Sequence, residues 1–329
     1  MKKNMWVLVA AFVFGLPAAV SAHVAYVITP EEVSSHSGMD WGFVLAPFRT
    51  PSDLAIMFVT IIVVAALLIA ARKIVPIRAF FDRIVARLAS YNEYIPWIIR
   101  LALGIALIGA GTAGVLISPT FAGGHAFAFV QFALGFCFLM GFLIVPSALV
   151  AIGLFLYGAF HMPYLIGNAD FLALAVGVFV YASARPGVDD ILQISMIRPA
   201  SLKRREWIAT VVRLGLGVAF VFLALHEKLL NPGLSDLVVS QHNLTNFLPV
   251  SENMWVLSAG LVELALGLLI IVGVYTRLVA VVSIVVISLT FFFFKEAVYS
   301  HVTLFSALAI LAIEGGGRWS LDRKLRSRV

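Results

Sequence analysis

The chain contains nine apolar runs, each close to the length needed to cross a lipid bilayer. They cover residues 53–72, 95–117, 126–144, 147–161, 170–184, 208–226, 254–273, 277–294 and 300–315. A helix needs about 20 mostly apolar residues to span the hydrocarbon layer. With 62% of its residues hydrophobic and 12% charged, the chain has more apolar side chains than a soluble core would need. We therefore predict an all-α polytopic membrane protein.

Basic residues fall on one side of this arrangement if the runs alternate in direction. The loops 72–94 and 185–206 and the C-terminal tail are rich in Lys and Arg. The segments on the opposite side contain few basic residues: 23–52, 118–125, 161–169, 227–253 and 295–299. The positive-inside rule makes the basic side cytoplasmic. We predict a multi-pass protein of the inner (plasma) membrane with a cytoplasmic C-terminus, and a net charge of +6 that reflects topology and not nucleic-acid binding.

The amino terminus has the pattern of a secretory signal peptide. Lys2 and Lys3 precede a short apolar stretch, and Val20-Ser-Ala22 is typical of a cleavage site. We predict a signal peptide over 1–22 whose removal leaves His23 as an external N-terminus. The alternative is an uncleaved anchor.

A free amine and imidazole at His23, with His36, could chelate Cu(II). Two imidazoles in a short polar segment are more often ordinary solvated side chains, so we predict no metal site.

The membrane segments contain an internal repeat. Trp97-Ile-Ile-Arg-Leu-Ala-Leu-Gly104 returns as Thr210-Val-Val-Arg-Leu-Gly-Leu-Gly217, and Val130-Gln-Phe-Ala-Leu-Gly135 returns as Val262-Glu-Leu-Ala-Leu-Gly267. We predict two four-helix units, 95–185 and 208–324. An even number of helices in each unit gives both copies the same orientation, so the repeats are parallel and not inverted.

Residues 23–94 precede these units. We predict an external segment, one transmembrane helix and a basic cytoplasmic stretch. Basic and apolar residues alternate at helical spacing over 77–88, which predicts a helix along the inner membrane surface. An ordinary basic loop fits the same residues.

The second unit resembles the DoxX family. The similar segments are Arg213-Leu-Gly-Leu-Gly-Val, Leu225-His-Glu-Lys-Leu-Leu-Asn-Pro232, Gly260-Leu-Val-Glu-Leu-Ala-Leu-Gly267, Gly273-Val-Tyr-Thr-Arg277 and Gly315-Gly-Gly-Arg-Trp-Ser-Leu-Asp322. The first unit keeps Arg100 and Gly135 but has Gln131 where the second has Glu263. The family comprises small four-helix membrane proteins related to the DoxD-type subunit of thiosulfate:quinone oxidoreductase. The resemblance implies a membrane role in redox or sulfur chemistry, with another redox subunit as a possible partner.

Glu263 is the principal candidate for a functional side chain. It lies about 13 Å along its helix from Met254, whereas Arg213 lies about 19 Å from the same side of the membrane. Because an isolated charge in a membrane helix is costly, we predict an Arg213–Glu263 ion pair. Such a pair is either a structural clamp or a proton or quinone site.

A second group of polar residues lies where helices of the second unit end. His226 and Lys228 end one helix, Lys295 ends another and His301 begins the last. Imidazole and ammonium groups supply hydrogen-bond donors and a proton carrier, both of which a quinone needs. The alternative is that polar residues only mark helix ends at the membrane interface.

We therefore predict catalytic roles for Glu263, His226 and Lys228, and a quinone pocket formed by Arg213, Glu263, Lys295 and His301. Quinone is a possible cofactor and the lipid bilayer an obligatory partner. The predicted function is a subunit or accessory of a quinone- or sulfur-linked membrane redox system. The alternative is a non-catalytic membrane scaffold or a small-molecule carrier. The two readings differ in whether these side chains line a pocket or face headgroups and water.

Overall fold

A computed structural model describes residues 24–45, 75–179, 187–194, 202–246 and 250–326, with isolated positions between 51 and 66. The predicted signal peptide, residues 1–22, lies outside the described residues, as does most of the predicted span 53–72. Regular secondary structure in the described part of the chain is helical, with one isolated β-bridge between Val115 and Ala122.

The described helices follow the apolar runs along the chain. The helices before the first predicted unit are α1 (Pro30–His36), α2 (Trp41–Leu45) and α3 (Val75–Ala89). The next group is α4 (Ile95–Thr112), α5 (Gly124–Met140), α6 (Ile144–His161), α7 (Ala169–Val178) and α8 (Val188–Ile191). The last group is α9 (Leu202–Leu223), α10 (Pro232–Gln241), α11 (Glu252–Val272), α12 (Thr276–Phe294), α13 (Val298–Glu314) and α14 (Leu321–Arg326).

Five helical segments of the described chain are long and apolar enough to cross a membrane. They are Asn92–Thr112, Ile144–His161, Trp207–Leu229, Glu252–Val272 and Thr276–Phe294. Three further apolar helices are shorter: Gly124–Met140, Pro163–Val178 and Val298–Glu314. Each predicted run after residue 94 corresponds to one of these segments, so the prediction of an all-α membrane protein is confirmed.

The basic stretch before the first predicted four-helix unit, 95–185, is helical. Helix α3 includes the residues for which a surface helix and an irregular loop were both considered, and it contacts α13. The loop alternative is therefore wrong for this stretch, whereas its position on the inner membrane surface stays a prediction.

The chain divides into two compact units. The first consists of residues 1–69, 221–265 and 285–296, and the second of 70–220, 266–284 and 297–329. These segments differ from the predicted four-helix units 95–185 and 208–324, which stay a prediction.

The first unit has its apolar core around α10. One cluster comprises Val239, Leu244, Trp255, Val256 and Ala259, and the other comprises Val24, Ile28, Leu234 and Val238. Val24 is fully buried in the second cluster. The segment after the predicted cleavage site is therefore part of the folded core.

Close glycine contacts bring helices of the second compact unit together. A Cβ atom on Gly104 of α4 would lie 3.0 Å from the carbonyl oxygen of Gly135 in α5. Between α9 and α11, a Cβ atom on Gly217 would lie 3.0 Å from the carbonyl oxygen of Gly267. These are the glycines that the sequence repeat aligns. Small residues at such crossings allow the backbones of membrane helices to approach closely.

Candidate functional site

Helix α9 ends in a π-helical turn, Ala224–Leu229, in which the N–H of Leu230 bonds to the carbonyl oxygen of Leu225 at 2.8 Å. The turn carries His226, Glu227 and Lys228. The wider winding of a π turn is rare and is found often at functional sites. Here it accompanies the complete burial of two adjacent ionisable side chains, Glu227 and Lys228.

Lys228 forms a buried ion pair with Glu263 of α11. Its Nζ atom lies 2.7 Å from Oε2 of Glu263 and 3.6 Å from Oε2 of Glu227. Gly260, one turn before Glu263, makes this approach possible, because a Cβ atom there would lie 3.1 Å from Cβ of Lys228. One ammonium group is thus shared by two buried carboxylates.

Hydrogen bonds from three other segments hold the π turn. The backbone N–H of Val24 donates to Oε2 of Glu227 at 2.8 Å. The Ser235 hydroxyl donates to the carbonyl oxygen of Glu227 at 2.9 Å, and Nδ2 of Asn231 donates to the carbonyl oxygen of His226 at 2.6 Å. The turn is therefore fixed by the N-terminal segment and by the start of α10.

Two of the three ionisable side chains in this cluster, the carboxylates of Glu227 and Glu263, can take up a proton. Glu227, Lys228 and Glu263 together carry a formal charge of −1 when all are ionised. Burial of unbalanced charge costs several kcal/mol in a membrane or a protein interior. Proton uptake by a carboxylate would neutralise the cluster without breaking the Lys228 contact to the other carboxylate. The geometry therefore permits proton exchange as well as a purely structural role.

The predicted Arg213–Glu263 pair is replaced by two separate interactions. Glu263 pairs with Lys228, as described above, whereas Arg213 donates from Nη1 to the carbonyl oxygens of Ile270 and Ile271. Those carbonyls belong to the last turn of α11, where the regular helical N–H partners end, and that of Ile270 also accepts from the N–H of Gly273 at 3.1 Å. The buried guanidinium bonds both carbonyl oxygens at the end of the helix, and the acid that interacts with it electrostatically is Asp322, not Glu263.

Arg100 has the same role one repeat earlier. Its Nε donates to the carbonyl oxygen of Phe138 at 2.9 Å, and its Nη2 donates to that of Leu139 at 3.0 Å, at the end of α5. Each of the two helices is followed by a glycine in the left-handed region, Gly141 with φ of 68° and Gly273 with φ of 73°. A Cβ atom on Gly273 would lie 2.7 Å from Nη1 of Arg213.

An aspartate caps the helix that follows each of these glycines. Asp189 accepts hydrogen bonds from the backbone N–H groups of Leu143 and Ile144 at 2.8 and 3.1 Å. Asp322 accepts bonds from those of Tyr275 and Thr276, both at 2.8 Å. The two copies thus share an arginine, a glycine and a capping aspartate, and the aspartates lie far outside the motifs used to find the repeat.

Gln131 and Glu263 occupy corresponding positions but have different partners. Oε1 of Gln131 accepts from the N–H of Ile117 at 2.9 Å, and its Nε2 donates to the carbonyl oxygen of Val115 at 2.8 Å. The amide therefore ties down the backbone that follows α4. In the second copy this position carries a charge and binds an ammonium group.

The structure brings together some of the predicted pocket residues and not others. His226 is half-buried and stacks on Phe222 with ring centroids 5.3 Å apart. Lys295 is exposed and has a φ of 53° at the end of α12. Lys228 and Glu263 are in contact. A quinone pocket formed by these residues stays a prediction.

His301 belongs to a buried polar group in the second compact unit, residues 70–220, 266–284 and 297–329. The sequence analysis identified His301 but not the other members of this group. Its Nδ1 lies 2.9 Å from the Ser300 hydroxyl, and it interacts electrostatically with Asp170. Asp170 is buried and accepts a hydrogen bond from Thr303. An acidic residue in the first turn of an otherwise apolar run was the signal that could have identified it.

Within the described residues, no group of three or more His, Cys, Asp or Glu side chains is placed to hold a metal ion. His36 is exposed, and His23 lies outside the described residues.

The family comparison agrees with the motifs of the second copy. Residues 208–296 match the family model DoxX, and this segment includes the π turn and the Lys228–Glu263 pair. No curated protein and no solved structure matches the chain. Residues 208–296 are therefore a DoxX domain.

Proposed function

We propose that the protein is a membrane component of a quinone- or sulfur-linked redox system and that the Lys228–Glu263 pair exchanges a proton with the bound substrate. The observation that carries this proposal is the 2.7 Å contact between two buried, oppositely charged groups inside the DoxX domain. Ionisable side chains inside membrane segments are costly and usually functional.

In the proposed reaction, a partner subunit supplies electrons and this chain supplies protons. Reduction of a quinone to a quinol consumes two electrons and two protons. A redox subunit would supply the two electrons, and Glu263 would pass the two protons to the quinone oxygens one after the other, taking up a proton from solvent before each transfer. Lys228 donates a hydrogen bond to a quinone carbonyl while it retains Glu227 as a counter-ion. His226 and Lys295 are proposed as further donors in the same unit.

The proposed topology follows from charge and from the repeat. We place the chain in the plasma membrane with the basic loops 72–94 and 185–206 and the C-terminal tail in the cytoplasm. The parallel arrangement of two repeats is supported by the matching Arg100 and Arg213 contacts and by the two capping aspartates.

A scaffold or carrier role is the second candidate, and Gln131 is the observation that favours it. The corresponding position of the first copy has a structural role, because it holds a loop through two backbone bonds. Glu263 would then do the same for the π turn through Lys228, without a change of protonation.

The test is quinone binding by the purified protein in detergent. Lipid-soluble molecules that co-purify are identified by mass spectrometry, and binding of a short-chain quinone is titrated by quenching of tryptophan fluorescence. Glu263→Gln should weaken binding at least about tenfold, the loss expected for a buried polar contact. The exposed Glu93→Gln is the matched control and should bind as the wild type does. No quinone in the preparation, or equal affinity in both variants, would favour the scaffold.

A further inference from the structure

The segment 24–45 packs against the elements of the first compact unit that carry the buried charge cluster. Val24 is fully buried in an apolar cluster with two residues of α10. Phe43 packs against a second apolar cluster, which includes Ala259 of α11. Ala259 lies about one helical turn before Glu263, so this cluster adjoins the site along α11. One segment therefore packs beside the charged site on two elements.

Two backbone hydrogen bonds join this segment directly to the π turn. The N–H of Val24 donates to Oε2 of Glu227 at 2.8 Å. The N–H of Asp40 donates to the carbonyl oxygen of Leu230, the residue after the turn, also at 2.8 Å. Each N–H occupies a position that a water molecule could take if the segment moved away. The segment thus replaces water at a carboxylate of the cluster and at the end of the turn.

Helix α1, in the middle of the segment, lies against α10 near both ends of α10. Nε2 of Gln241 donates to Oε1 of Glu32 at 2.8 Å. At the other end, a Cβ atom on Gly233 would lie 3.0 Å from the carbonyl oxygen of His36. The absence of a side chain at Gly233 therefore permits the close approach of the two helices.

We infer that the segment 24–45 is a strap that closes the Lys228–Glu263 site to water, and that release of the strap admits the solvent protons which the site exchanges. The second part rests on the proposed function, whereas the closure does not. The strap is held by a helix of seven residues and in part by an exposed hydrogen bond. Local opening of such a segment costs less free energy than unfolding of the whole unit.

The closed and released states differ in which partners the buried carboxylates can reach. With the strap in place, the backbone N–H of Val24 lies on Glu227, and the Lys228–Glu263 pair is buried. With the strap released, a hydronium ion can give a proton to a carboxylate oxygen and leave as water. The total charge of Glu227, Lys228 and Glu263 then rises from −1 to zero, which removes the cost of the unbalanced buried charge.

A water-soluble carbodiimide tests the closure in the purified full-length protein in detergent. The reagent activates a carboxyl group, and the Lys228 amine then attacks it. An amide bond forms to Glu263 or Glu227, and the carboxyl oxygen leaves in the urea. Added glycinamide captures the activated carboxyl groups that have no amine beside them. Peptide mass spectrometry gives the rate at each position. We expect Glu263 in the wild type to react at least about tenfold more slowly than the exposed Glu31, as a closed site requires.

Gly233→Val loosens the strap without a change in the charge cluster, because the new side chain would press on the carbonyl oxygen of His36. It should raise the rate at Glu263 at least about fivefold. Gly38→Val is the matched control, since a Cβ atom at Gly38 has no neighbour within 4 Å, and it should react as the wild type does. Equal Glu263 rates in Gly233→Val and the wild type would overturn the inference. So would a wild-type Glu263 that reacts as fast as Glu31.

Asp170, which is buried in the second compact unit, separates strap release from general unfolding. Release should speed the reaction at Glu263 and leave Asp170 slow. If Gly233→Val speeds both, Gln241→Ala decides, because it removes only the bond to Glu32. It should raise the Glu263 rate about twofold or more, and no increase would overturn the inference. The assay contains no quinone, so a failure of closure is distinct from a failure of quinone binding.

Discussion

Lys228 and Glu263 are joined by a 2.7 Å contact between side chains that are both buried, so water is not an alternative partner for either charge. The two residues come from the π turn after α9 and from the middle of α11. The second carboxylate, Glu227, lies 3.6 Å from the same ammonium group. This unequal sharing determines which substitution should cost more.

Loss of Lys228 should be more damaging than loss of Glu263. Lys228→Met leaves two buried carboxylates without this cation and should lower the free energy of unfolding by about 3–5 kcal/mol. Glu263→Gln leaves Lys228 with Glu227, and the amide can still accept a hydrogen bond, so we expect a loss of about 1–2 kcal/mol. Denaturant titration in a detergent micelle measures both. A larger loss for Glu263→Gln would mean that Glu227 is not an effective counter-ion.

The two arginines that end α5 and α11 should respond alike to the same conservative change. Each guanidinium bonds two neighbouring carbonyl oxygens, which a single ammonium group cannot do with the same geometry. Arg100→Lys and Arg213→Lys should each cost about 1–3 kcal/mol of unfolding free energy. Arg87→Lys, at an exposed position of α3, is the control and should change Tm little. If Arg213→Lys were neutral while Arg100→Lys was costly, the two sites would not have equivalent roles.

The two capping aspartates give a third comparison. Asp189→Ala removes the acceptor for two N–H groups at the start of α6, and Asp322→Ala does so at the start of α12. Each should lower stability by about 1–2 kcal/mol, which is the usual range for a helix N-cap. The Thr276 hydroxyl also donates to Asp322 at 2.9 Å, so Asp322→Ala should be the larger of the two losses. Thermal unfolding measures both losses, and the exposed Asp82→Ala is the control. Equal losses, or a larger loss for Asp189→Ala, would mean that the hydroxyl contact is unimportant.

The N-terminal segment should lose stability in acid through Glu32. The N–H of Thr29 donates to Glu32, and so does Nε2 of Gln241, both at 2.8 Å. These bonds lower the pKa of Glu32 below its ordinary value of 4.5, with the Thr29 bond as the larger cause. A carboxylate with a lowered pKa in the folded state stabilises it above the unfolded pKa. That contribution is lost as pH falls through the lower folded value.

Hydrogen exchange of a peptide covering 24–45 provides the measurement. Protection in the wild type should exceed that in Glu32→Gln above about pH 5, and the difference should shrink as pH falls towards about 3. Glu31→Gln, at the exposed neighbouring position, should follow the wild type throughout. A difference between Glu32→Gln and the wild type that does not change with pH would assign the effect to the loss of shape and not of charge.

The sequence by itself determined the fold class and the helix positions after residue 94. Apolar runs of membrane-spanning length have few other solutions, because backbone polar groups must be satisfied inside the segment in a bilayer. It also identified Arg213, Lys228 and Glu263 as significant, since charged residues are expensive in such runs. The DoxX resemblance depended on short local motifs and was confirmed over 208–296.

The tertiary structure alone decided which of these groups are partners. Similar depth suggested Arg213 for Glu263, but depth says nothing about which face of a helix a residue occupies. The π turn changes that face at Lys228, because its residues advance by a different angle from those of an α-helix. The sequence analysis predicted a side-chain partner, Glu263, for Arg213. Arg213 instead binds carbonyl groups at a helix end, and a sequence pattern does not show which carbonyl groups lack a partner. The contact between Val24 and Glu227 likewise joins residues 203 positions apart, and no local sequence pattern predicts it.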